Sequence, residues 1–312
     1  MRVPVAPALV VPLLVAACTS APRQPLPPPG TPPPVAPQLE QDPLAAYPEL
    51  LLLSGHATDL RYTPDALDRA AQVQRRLEEM AEVFQLIAGD PVRLEALVLD
   101  RAAWAKLLPE RAWGLPALTL PGVFAVAAEG DEESVWRVRA LTGGWLPPLP
   151  GTPFRGTADE AAALAAADTL LQLGVARAFL EDRQLRGEEP WISALLAQLL
   201  ARLTWERTDA GQMHLVADQF DRMAQVAGRG QPLRLSDYQL GLPLAEDLAW
   251  EAAFLRGADL AWVEMGEGRA LRYLRYLMRA RAVVTREELE KEVPALAAWA
   301  YASFVPEIPP NP

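Results

Sequence analysis

The sequence predicts an α+β fold, with a small mixed α/β sheet unit over residues 46–144 followed by a larger all-helical unit over 157–305. Three observations predict it. Short apolar runs at 51–54, 92–100, 117–120 and 123–127 alternate with helical spacing in the first third. From residue 157 onward the apolar residues recur at three and four, with no strand pattern. Between the two lies a Pro- and Gly-rich stretch at 142–155, from which a linker over 145–156 is expected. The 312 residues, 51% hydrophobic, suffice for one large domain or two small ones.

Residues 1–17 hold one basic residue, Arg2, and then an apolar stretch too short to span a bilayer, which reads as a secretory signal. Val15-Ala16-Ala17-Cys18 resembles a bacterial lipobox, so Cys18 is expected to be the lipidated first residue of the mature chain, facing the periplasm. Thr19, where inner-membrane lipoproteins have Asp, favours the outer membrane. Cys18 is also the one cysteine, which excludes an intrachain disulfide. Residues 18–45 read as a Pro-rich tether. In polyproline II its core reaches about 60 Å, at ~3.1 Å per residue.

Residues 51–54 form a short apolar strand. Thr63-Pro64-Asp65 starts a helix by the rule of a Thr cap and Pro at the first position. Its stripe is Ala70, Val73, Leu77, Met80/Ala81, Phe84 and Ile87, and Gly89-Asp90-Pro91 stops it. Leu97-Val98-Leu99 is apolar on both faces, so the strand at 92–100 should be central. A short helix over 102–108 precedes strands at 117–120 and 123–127, broken at Pro121-Gly122, and a further strand is expected at 135–141.

Thr157-Ala158-Asp159-Glu160 is a capping box that opens an Ala-rich helix over 159–180. A polar link at 181–189 ends it. Pro190 then suits the first position of a helix over 190–205, with Glu188 and Glu189 complementing its dipole. Helices over 244–265 and 268–282 follow. A second box, Thr285 with Glu288, opens a helix to about residue 302, and 306–312 is a loose tail.

This helical pair resembles the active-site helices of the gluzincin, or peptidase-MA-like, zinc metallopeptidases. Those carry H-E-x-x-H on one helix and, about twenty residues on, a P-x-W-(L/I)-S-E-G-L-A segment whose Glu is the third ligand. Pro190-Trp191-Ile192-Ser193-Ala194-Leu195-Leu196-Ala197 fits the second segment, with Ala194 in place of the Glu. Residues 173–177 fit the first, with Leu173 and Arg177 in place of the two His and Gly174 in place of the catalytic Glu. The loop at 231–237 and the helix containing Phe254, where many members have Tyr, extend the likeness over residues 50–292. The resemblance implies a peptidase-MA-like fold with no metal at this site, no cofactor and no zinc hydrolysis. None of the four residues ligates zinc, and Arg177 would repel it. It also implies that Leu173 and Ala194 face each other across a cleft, with the 123–127 strand as its other wall and as the edge to which an extended peptide pairs. Arg177 would then need a carboxylate or open water.

The remaining chemistry is sparse. A formal net charge of −11 without a basic block argues against nucleic acid as a partner. The two histidines, His56 and His214, lie in different segments, and Asp247 and Glu251 share one helix face. Arg269, Arg272, Arg275 and Arg279 follow i+3/i+4 spacing. They form either an anion-binding face or ion pairs with Glu246, Asp247, Asp259 and Glu264. The expectation is an inactive peptidase-like envelope protein, tied to the membrane by its lipid, that binds an extended peptide or an envelope protein. The alternatives are a helical adaptor unrelated to peptidases and an enzyme using a non-zinc site.

Overall fold

A computed structural model describes residues 43–120, 122–148, 156–209, 211, 213–227, 234–239, 244–281 and 283–304. The signal, Cys18, most of the tether, most of the linker and the 306–312 tail lie outside the described residues. The described residues form one compact unit.

The chain enters a five-stranded sheet through β1 (Leu51–Ser54) and β2 (Thr58–Tyr62), crosses over α1 (Leu67–Ala88), and returns as β3 (Leu94–Leu99). Helix α2 (Arg101–Leu107) leads to β4 (Ala117–Leu120) and β5 (Val123–Ala127). The strand order is β1-β2-β3-β5-β4, with β2, β3 and β5 parallel and both outer strands antiparallel to their neighbours. β3 is central, as its two-sided apolar pattern requires. Its Leu94, Ala96 and Val98 face one core, while Leu97 and Leu99 face another that holds Trp104 and Trp113.

Two features of this half depart from the sequence reading. β2 was not foreseen, because Asp59 and Arg61 alternate with the buried Thr58, Leu60 and Tyr62 and leave no apolar run. The expected strand at 135–141 is instead part of α3 (Glu132–Thr142). The Asp131 carboxylate accepts from the Ser134 amide at 2.8 Å, and the Ser134 hydroxyl accepts from the Asp131 amide at 2.8 Å. This reciprocal cap fixes a helix whose buried residues Val135, Val138 and Thr142 keep helical spacing, and Trp136 points to solvent. Thr63 does not cap the helix after it. A 3₁₀ turn precedes α1, and the Thr63 hydroxyl accepts from the Asp100 amide at 3.1 Å.

The helical half comprises α4 (Ala158–Asp182), α5 (Pro190–Asp209), α6 (Met213–Ala227), α7 (Leu244–Ala280, broken at Gly266), α8 (Arg286–Glu292) and α9 (Ala295–Ser303). Both capping boxes form: Thr157 with Glu160, and Thr285 with Glu288. The single last helix expected to run to about residue 302 is two helices, because Pro294 cannot donate an amide and forces Val293 out of the helical region. Helix α4 has the length and apolar composition of a membrane span, yet most of it is buried against neighbours, as in a core helix. One core runs from Leu60, Ala96 and Phe124 of the sheet through Leu173 and Ala194 to Phe254 and Trp299, so it is continuous across the expected linker.

Candidate functional site

The helical pair brings Arg177 and Ala194 to one cavity of about 450 Å³. Leu173 and Ala194 belong to the same buried core, but Leu173 packs inside it and does not reach the cavity. The space opposite Gly174 is taken. A Cβ at Gly174 would stand 2.8 Å from Cε1 of Phe124, so the Phe124 ring of β5 fills the place a longer side chain would need. The cleft expected between α4 and the 123–127 strand is therefore closed, and the opening lies instead on the Arg177 side. Nor is that strand an edge. β5 is paired on both sides, by β3 and by β4, and the outer strand is Ala117–Leu120.

Arg177 meets the carboxylate it required. Its guanidinium pairs with Glu251 of α7, whose side chain is 2% exposed against 27% for Arg177. Gln198 of α5 donates to Glu251 Oε2 at 2.7 Å and to the Glu251 carbonyl at 3.3 Å, so one carboxylate joins three helices. Glu251 is thus buried between the helices, while the Asp247 side chain, expected on the same helix face, lies outside the described residues. Phe254 sits fully buried among Tyr238, Trp250, Trp299 and Phe304, away from the cavity. A Tyr there would meet core, not a ligand.

The rest of the cavity comes from segments that looked like connectors. Arg186, in the link after α4, is held against the segment after α7. The Glu188 amide donates to the Val284 carbonyl at 3.0 Å, and the Val284 amide to the Arg186 carbonyl at 2.9 Å. Gln184, Arg186 and Arg281 line the same cavity, and Ser193 joins them while its hydroxyl accepts from the Gly187 amide at 2.8 Å. The sequence places Gln184 and Arg186 in a polar link, Ser193 in the helix over 190–205 and Arg281 inside a helix over 268–282 that in fact ends at Ala280, so nothing in it brings them together. The one usable signal was the lack of Gly or Asn directly after Asp182 and Ala280, where a helix end favours a left-handed residue. Glu188 complements a different helix from the one expected, because its Oε1 accepts from the Arg286 amide in the first turn of α8 at 3.0 Å.

The four arginines of α7 do not form one face. Arg269 pairs with Glu292 at 2.9 Å, and Arg275 donates to the Leu86 carbonyl at the end of α1, also at 2.9 Å. Arg269 and Arg272 line one concavity with Tyr273, whose phenol burial pushes well above its usual range, and Arg279 lines another with Asp90. Their expected partners are engaged elsewhere: Asp259 with Arg202 at 2.7 Å, and Glu264 with the Ala295 amide at 2.9 Å. The Glu246 side chain is outside the described residues.

His56 and His214 are both exposed. Among the described residues no three His, Cys, Asp or Glu side chains gather as a metal site. The zinc of the peptidases does not fit Leu173, Gly174, Arg177 and Ala194, which offer no ligand atom and place a paired cation beside the site. In comparisons with known proteins, no family model and no curated protein matches this chain. The peptidase likeness rests on the chain's own residues.

Proposed function

We propose that this chain is a lipid-anchored bacterial envelope protein, facing the periplasm from the outer membrane. Its peptidase-like domain has lost zinc catalysis and serves as a binding or scaffolding module for an envelope protein or extended peptide. The observation that carries the reading is the Arg177–Glu251 pair beside Ala194. A cation held by a buried carboxylate stands at the position of a zinc ligand, while a cavity remains open next to it. Such a site keeps the room to bind, while the four aligned positions carry neither a zinc ligand nor the carboxylate that would activate a zinc-bound water.

Metal analysis of the purified full chain tests this. Far less than one zinc per chain, with no peptide hydrolysis above a buffer control, is expected; stoichiometric zinc overturns the reading. The anchor is tested separately. A fatty-acid analogue should label the parent chain, and Cys18→Ala should lose both the label and membrane fractionation.

A further inference from the structure

We propose that the cavity beside Arg177 binds a carboxylate carrying an apolar group, such as the chain end of a peptide or a fatty acid. The proposal rests on the reading above in taking this cavity as the place of binding, and it names the ligand chemistry that reading leaves open.

Charge is the first argument. Arg186 and Arg281 reach the cavity from two segments tied together by the Gly187–Val284 bridge, and among the described residues neither guanidinium has an ion-pair partner. Arg177 adds a third from α4. Against these three stand Glu181 in the lining and Glu251 behind Arg177, so the side chains leave one positive charge in excess here, in a chain of net charge −11. Guanidinium groups recognise carboxylates by paired N–H donors, so an anion seated between Arg186 and Arg281 satisfies both.

Shape and polarity narrow the ligand. Leu180, Leu185, Ala194 and Ala197 are buried residues that line the cavity, so a bare inorganic anion would leave apolar wall against water. The volume of about 450 Å³ is that of a small-ligand site and admits one side chain or a short alkyl group beside the carboxylate.

Backbone conformation is the third argument. Among the described residues two non-glycines have left-handed backbone, Gln184 at φ 57° and Arg281 at φ 48°, and both line this cavity. Each follows the end of a helix, where glycine is the unstrained choice. Long polar side chains standing at both positions at the expense of backbone strain point to a use for those side chains.

Calorimetric titration of the full chain tests the proposal with N-acetyl-leucine, decanoate, N-acetyl-leucinamide and inorganic phosphate. At least one of the two carboxylates should bind, with the amide and phosphate weaker by about tenfold or more. Preference for N-acetyl-leucine assigns the peptide source, and preference for decanoate the lipid source. Arg186→Gln should lower the affinity by about tenfold or more, and Arg281→Gly likewise. Because Arg281→Gly eases the left-handed backbone, its loss of binding cannot be ascribed to unfolding, and a thermal melt checks that. Binding by neither carboxylate, equal binding of the amide or phosphate, or parent-like binding by both variants overturns the proposal. A zinc-free protein that binds no carboxylate removes this inference and leaves the inactive-peptidase reading standing. Stoichiometric zinc removes that reading whatever the titration gives.

Discussion

Two of the arginine–carboxylate pairs that hold α4 differ in what surrounds them. Asp168 takes Arg69 of α1 in a two-pronged bridge, Nη1 to Oδ2 at 3.0 Å and Nη2 to Oδ1 at 2.5 Å. Arg69 Nε also reaches the Ala127 carbonyl at the end of β5 at 3.4 Å, and both side chains are at most 7% exposed. Nine residues on, Arg177 takes Glu251 of α7 with the carboxylate sealed and the guanidinium left against an open cavity. The first pair locks the helix to the sheet. The second holds the helix to the bundle while presenting a cation to whatever enters the cavity. Closed on both sides, a pair specifies the fold; open on one side, it also makes a surface.

The largest expected effect breaks the closed pair. Asp168→Ala strands Arg69 without its carboxylate, which should lower stability by about 3–5 kcal/mol in urea unfolding. Arg69→Met with Asp168→Leu should cost much less than Asp168→Ala alone, since removing both charges leaves no orphan. A loss below about 1 kcal/mol for Asp168→Ala would mean that water reaches the pair and that the contrast with Arg177 is false.

Arg177→Met is the matching test of the open pair. It should cost about 2 kcal/mol, less than Asp168→Ala, because Gln198 still donates to Glu251 and the cavity lets water approach. If the two variants cost the same, Arg177 is as structural as Arg69 and the cavity contributes nothing to the difference.

What the sequence made legible follows the same division. The capping boxes of α4 and α8, the α1 stripe, the central strand and the break at Gly266 are local patterns, because caps, periodicity and glycine act within a few residues. The partners of charges are not local. Glu251 is 74 residues from Arg177 and Asp168 is 99 from Arg69, so the cost of burying Arg177 unpaired called for a carboxylate or open water beside it without naming the partner. The cavity was less legible still. Its charged wall comes from a link after α4 and from Arg281 directly after α7, and a backbone bridge that no motif announces brings the two segments together. The sheet edge was misplaced although the residues carried a signal: β5 is apolar on both faces like β3, whereas the outer β4 includes Thr119.

Gly174→Ala sharpens the comparison on the face of α4 between the two pairs. The new methyl gains about 1 kcal/mol of helix propensity. It also meets Phe124 Cε1 at 2.8 Å, and Phe124 is buried in a paired strand that cannot easily give. Overpacking of this kind costs about 1–3 kcal/mol, so a net loss of about 1 kcal/mol is expected. A stabilised Gly174→Ala protein would show that the Phe124 ring can swing away and that the closed cleft can open.

The smallest effect concerns a third pair, between α5 and α7, more exposed than either. Asp259 accepts from Arg202 Nε at 2.7 Å, and Arg202 also holds Glu206 at 2.7 Å and lies 4.8 Å from the Trp262 ring centroid. Burial raises the Asp259 carboxyl above its ordinary 3.8, and Arg202 offsets this only in part. A carboxyl raised in the fold favours the folded state when protonated. Its contribution is therefore present below the unfolded value near 3.8 and is lost as pH rises through the higher folded value. Asp90 has the opposite sign, since its hydrogen bond with Arg183 holds it low, but it is unchanged in both proteins and cancels in a difference. The stability of the parent minus that of Asp259→Asn should thus fall as pH rises from about 3.5 toward neutrality. With over a third of the Asp259 side chain exposed, solvent should keep the change within about 0.5 kcal/mol. Denaturant unfolding of both proteins across that range measures it. A difference that grows with pH would mean that Arg202 outweighs burial, and that even an open pair at this surface stabilises the bundle.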